Sequence, residues 1–172
     1  MTMRHRRNGR GRRGVSTLES LLVIPILLIV LVFSIQAGIA AIYQAAVVHA
    51  ATVAAREAGK GVDLDTVVAA VQYIVDVHGI AISDAPGSGT QVVVDGFGFD
   101  PPASYGDPAF GCPLPANETQ DIEVRVTVCV DLAATRFCDA LGPWGLSFMG
   151  RTFRASSLVM MELEQDQGLP GD

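Results

Sequence analysis

The polar and apolar positions of this chain change rhythm along its length. From Leu21 to Ile35 a run of 15 residues is apolar apart from Pro25 and Ser34. After Gln36 the apolar character resumes, rich in alanine, as far as Val48. As one helix, Leu21–Val48 measures about 42 Å at ~1.5 Å per residue, enough to cross a bilayer. Ser16 or Thr17 can cap its start, and Gly59 and Gly61 can end it. Val67, Val68, Val71, Ile74 and Val75 recur at helical spacing within Asp63–His78, which predicts a second helix. Beyond Gly79 the period shortens to two. Ile80–Ile82 can begin a strand, Ala85–Thr90 reads as a turn, and Gln91–Phe99 reads as a strand. The proline-rich stretch 100–118 reads as a loop. Ile122–Val130 is the clearest strand, with valines alternating against Glu123, Arg125, Thr127 and Cys129. Leu132–Met149 is irregular. Arg151–Glu164 reads as a last strand with Phe153, Val159, Met161 and Leu163 facing inward. The expected fold class is α+β: a long N-terminal transmembrane helix, then a small three-stranded antiparallel sheet. A sheet this small needs a helix on one face, from residues 63–78 or from the outer half of the long helix.

Charge sharpens the division. Arg4, Arg6, Arg7, Arg10, Arg12 and Arg13 precede Val15, and all eighteen acids follow Gly14. Without residues 1–14 the chain carries six basic residues against eighteen acids, a formal charge of −12. Such a chain does not suit nucleic acid as a partner; membrane lipid is the better match for the arginine arm. Arginines before the apolar run, and none after it until Arg56, place the N-terminus on the cytoplasmic side and the C-terminal region outside. The expected divisions are a basic leader over 1–14, a long helix over 15–60, an outer α+β domain over 61–164 and a polar tail over 165–172.

Chemistry of the catalytic kind is thin. No phosphate loop, nucleophile elbow or paired catalytic carboxylates stand out, so neither an enzyme nor a cofactor is expected. His5, His49 and His78 are scattered, and the cysteine spacings fit no zinc motif. Asp95, Asp100 and Asp107 could face a calcium ion, although their spacing is not that of an EF-hand. Of the three cysteines, Cys112 and Cys138 form the candidate disulfide, with Cys129 left over. Separate small core residues are the other reading.

One local pattern carries a function. Gly14 is followed five residues later by Glu19, then by an apolar helix with Pro25 six positions beyond the acid. A carboxylate in such a helix costs about 2.5–3.5 kcal/mol on insertion scales and marks a functional position. The bland alternative is an acid held in the first turn by the helix dipole. Together with Ala54-Ala55-Arg56-Glu57-Ala58 at the helix end, and with Ala155, Ser156, Met160 and Glu162 near the C-terminus, the pattern resembles TadE-like pseudopilins of tight-adherence (Flp-type) pilus systems. That resemblance implies cleavage between Gly14 and Val15 by a prepilin peptidase, with Glu19 and Pro25 serving assembly. The implied partners are the peptidase, other pilin and pseudopilin subunits, the inner-membrane assembly platform and lipid. The implied location is the bacterial inner membrane, single-pass, or an extracellular pilus. Two further readings stay open: a signal-anchored outer domain that binds a ligand through the 100–121 loop, and a type II secretion pseudopilin.

Overall fold

The computed structural model describes residues 12–117, 119–135, 139–145 and 147–161. Leu163, Cys138 and the polar tail lie outside them. Helix α1 spans Arg12–Ala58, with Pro25 inside it. It starts earlier than the caps at Ser16 and Thr17 suggest. The residues ahead of them include no breaker stronger than Gly14, and a single glycine costs only about 1 kcal/mol. Helix α2 spans Leu64–Asp76. Four strands follow: β1 (Thr90–Gly96), β2 (Phe99–Gly106), β3 (Glu123–Asp131) and β4 (Thr152–Met160). They form one antiparallel sheet in the order β2-β1-β3-β4. The fold class is α+β as expected.

The chain divides into two compact units between Gly38 and Ile39. The first holds the N-terminal half of α1, whose large side chains stand open to the surroundings: Leu21 is 73% exposed, Leu27 61% and Ile35 54%. Ser34 is accommodated by donating its hydroxyl to the Val30 carbonyl at 2.8 Å, a bond that hides a polar group within its own helix.

The second unit has a continuous core. From α1 it takes Val47, Ala50, Ala51, Ala54, Ala55 and Ala58; from α2, Val67, Val71 and Val75. The alanines let the α1 backbone lie close to the sheet, and the α2 valines fall at one-turn spacing on a single face. The sheet answers with Val92, Val94, Val124, Val126, Val128, Val130 and Ala155. Each valine so buried contributes about 1.5–3 kcal/mol. So both helices suggested as cover for the sheet serve. At Gly59 a Cβ would lie 2.9 Å from the Val159 side chain, so the end of α1 approaches β4 where only glycine fits without displacement.

Two expectations need correction. The sheet has four strands, because part of the proline-rich 100–118 stretch is β2. Pro101 and Pro102 sit near its start, where the register against β1 shifts between Val94 and Gly96, and it is an edge strand, so their missing N–H groups are tolerated. A tight turn at Phe97 and Gly98 joins it to β1, with Gly96 and Gly98 at positive φ. Second, Ile80–Ile82 forms no strand: the Ile82 N–H donates instead to Gln72 Oε1 at 2.8 Å, and the Ala81 carbonyl accepts from the Thr90 hydroxyl. The polar alternates of β3 are covered as well. Glu123, Arg125, Thr127 and Cys129 are all buried, beneath the segment that follows β2.

Candidate functional site

The segment Gly14–Pro25 is built entirely on α1. Gly14 and Val15 lie in its first turns. Val15 and Glu19 are four residues apart, one helical turn, and so share a face. No acid occupies the first turn of α1. Glu19 stands eight residues in, beyond the reach of the terminal dipole, so the dipole-held reading of this acid loses its basis. Glu19 is exposed and lies in a shallow depression with Ser20, Val23 and Ile24. Between Arg13 and Arg56 it is the sole carboxylate. Pro25 has no N–H to give the carbonyl of Leu21, one turn back.

From Leu21 to Phe33 the helix surface is apolar on every side. Among the described residues α1 is the one helix long and apolar enough to cross a membrane, with a mean hydropathy of 2.7 in its best window. A helix apolar all round is stable in lipid or among other such helices and not in water. One N-terminal anchor of the single-pass kind fits these properties.

The second unit carries the remaining candidates. Cys112 is bonded to Cys129, with Cα atoms 5.8 Å apart. This replaces the expected Cys112–Cys138 pair. The reason lies in the sheet register: Gln91 on β1 stands opposite Cys129 on β3, and its side-chain oxygen accepts from the Cys112 N–H at 2.6 Å. Gln91 therefore helps to hold Cys112 beside Cys129. Other bonds strap residues 107–121 to the sheet. The Arg125 guanidinium donates to the Asn117 carbonyl and to Asp95, Arg154 donates to the Pro113 carbonyl at 3.1 Å, and the Gln120 N–H donates to Glu123 at 3.0 Å.

Of the three candidate calcium ligands Asp100 is exposed, and the other two are otherwise engaged. Asp95 pairs with Arg125. Asp107 is buried, and its carboxylate accepts from the N–H groups of Gly87 at 2.9 Å, Gly89 at 3.1 Å and Ala109 at 2.9 Å. Among the described residues no group of three metal-ligating side chains forms. The Gly89 N–H above all, then that of Ala109, draws the Asp107 carboxyl below its ordinary value of 3.8; burial opposes this, and Gly87 and Phe110 assist. A carboxylate with a depressed folded pKa stabilises the fold fully above its unfolded pKa, and that share is lost as pH falls through the folded value. We therefore expect the melting temperature of the outer unit to hold a plateau down to about pH 5 and to fall below about pH 4. Asp107→Asn should melt several degrees lower at neutral pH and show a shallower acid decline, as read by circular dichroism across the pH range.

Comparison with known proteins adds one finding. Residues 14–56 match the family model described as TadE-like protein. The match begins at Gly14, includes Glu19 and Pro25, and ends at Arg56, before α2. The resemblance to TadE-like proteins, a pilus-associated and structural family, therefore holds over this segment. No match was found among curated proteins or among solved structures.

Proposed function

We propose, from the TadE-like character of residues 14–56, that this chain is a pseudopilin or minor pilin-like subunit in the assembly of a tight-adherence pilus. Its role is structural. The observation that carries this reading is Glu19: the sole carboxylate between Arg13 and Arg56, at the head of a long apolar run and one turn after the Gly14–Val15 bond.

The physical logic runs through charge. Lipid tails and neighbouring apolar helices are similar solvents, so burial alone gives little drive to leave the bilayer. Cutting after Gly14 removes six arginines and creates an α-amine at Val15. In a low-dielectric core that amine and a carboxylate attract strongly, whereas an unpaired carboxylate is penalised. The amine of one subunit and Glu19 of its neighbour then set the axial offset between helices. Within one chain the same two groups share a helix face, so a lone processed subunit can quench its own charges until a neighbour competes. The arginines remain on the cytoplasmic side until removal, and the sheet unit stands outside. The partners of this scheme are the prepilin peptidase, sister subunits, the assembly platform and lipid.

Gly14 fits the processing step. The first four N–H groups of a helix have no partner within it, so its first turn opens readily, and glycine lowers the cost of opening by about 1 kcal/mol relative to alanine. Gly14→Leu is expected to leave the precursor uncut. Mass mapping of the N-terminus, in cells with and without the peptidase, reads this directly. A functional chain that keeps its arginine leader would instead make this a plain signal-anchored outer domain.

A further inference from the structure

The two edges of the sheet are unlike. β2 has Pro101 and Pro102, and so two successive positions with no N–H. β4 has none. The Met161 N–H donates to the Ile122 carbonyl on the β3 side at 2.9 Å. In antiparallel pairing this phase sends the backbone groups of Val159, Ser157 and Ala155 inward, and those of Arg154, Ser156 and Leu158 outward, to the open side. Leu158 and Met160 are 46% and 62% exposed. Beside the C-terminal part of this edge runs a groove of about 500 Å³. Val53, Arg56, Glu57, Gly59 and Lys60 at the α1 end and Val159 and Met160 at the β4 end line it. Lys60 is paired with Glu57 at 2.7 Å. Arg56 is exposed and meets no acid among the described residues. The groove therefore keeps one excess positive charge. Between Asp139 and Glu162 the sequence has Arg151 and Arg154 and no acid at all.

We propose that this groove is a strand-addition site for an extended, acidic segment of another protein chain. The incoming strand bonds to the outward N–H and carbonyl groups of Ser156 and Leu158. One of its faces rests on Val53 and Val159 and places a carboxylate against Arg56. Main-chain bonds supply affinity in this mode, and alternate side chains supply choice. A second copy is a poorer occupant, since its β4 would bring Arg154 and no carboxylate. The site lies wholly in the outer unit and does not depend on the pilus reading.

The test uses the full chain in detergent micelles and two fluorescein-labelled peptides, Val-Thr-Glu-Thr-Val-Thr and its lysine counterpart Val-Thr-Lys-Thr-Val-Thr, in which the valines and the central charge share one face, followed by anisotropy. The acidic peptide should bind about tenfold more tightly than the lysine peptide, and less so at high salt. Arg56→Glu, a surface change, should reverse the preference. Leu158→Pro removes an outward N–H without cutting a ladder bond, so it should abolish binding of both peptides while the melting temperature stays near that of the parent. Should Leu158→Pro fail to fold, Arg56→Glu decides alone. Equal binding of the two peptides, no binding of either, or an unchanged preference in Arg56→Glu overturns the proposal. So does a dimer, seen by light scattering, that Leu158→Pro dissolves while neither peptide binds; the groove would then belong to a second copy.

Discussion

Glu19→Ala is expected to leave processing intact and to abolish filament assembly. The peptidase would act at Gly14–Val15, one turn earlier, and the alanine preserves the helix there, since alanine is the strongest helix former. What disappears is the acid that the new amine needs. The precursor would even insert more easily, because a charge costing about 2.5–3.5 kcal/mol in the bilayer is gone. Assembly would suffer for the converse reason: an amine without a counter-ion must then be buried among apolar helices. Breaking one side of a buried pair costs roughly 3–5 kcal/mol, more than two orders of magnitude in an association constant. Mature chain of the correct mass, retained in the membrane fraction with no pili on the cell surface, is the expected result. Normal piliation of this variant would remove the basis of the assembly scheme. Glu19→Asp is a useful companion, because it keeps the charge and shortens its reach, and should give partial assembly.

Loss of the Cys112–Cys129 bond carries the second large effect. The bond closes a separation of 17 residues, and a loop of about 15 residues corresponds to about 3 kcal/mol of chain-entropy stabilisation. Against a total stability of about 5–15 kcal/mol this is a large share. The consequence is also local. The bridge pins the 107–121 strap over Glu123, Arg125 and Thr127, and a loosened strap would admit water to groups that are now buried. Cys112→Ser with Cys129→Ala should lower the melting temperature by roughly 10 °C and raise amide exchange along β3. Cys138→Ser should leave the bridge and the melting temperature of the outer unit unchanged. A double variant that melts with the parent would show that Gln91, Arg125 and Arg154 hold the strap unaided.

Elements with an internal rhythm were legible in the sequence. α2 was visible because Val67, Val71 and Val75 lie one turn apart, and β3 because its valines alternate. The Gly14, Glu19 and Pro25 pattern was legible for a related reason: it is local, lying within a few turns of one helix, and needs no tertiary partner to be seen. β2 was hidden, because Pro101 and Pro102 are strand-breaking signals everywhere except at a sheet edge, and edge position is a property of the assembled sheet. The cysteine pairing was hidden for a related reason. Spacing along the chain does not state which strand will lie beneath Cys112; the register that sets Gln91 opposite Cys129 does. The buried polar face of β3 likewise depends on a strap that reads, residue by residue, as a solvated loop. The start of α1 at Arg12 escaped because good caps at Ser16 and Thr17 do not oblige a helix to begin there.

The unequal edges of the sheet bear on how far any association can go. A molecule that accepts a foreign strand along β4 has, at β2, two consecutive prolines where the next hydrogen bonds would have to start. Strand addition is thus disfavoured at the start of that second edge. A sheet with one receptive edge and one interrupted by prolines can take up a partner without seeding the runaway stacking that sheets with two sticky sides invite.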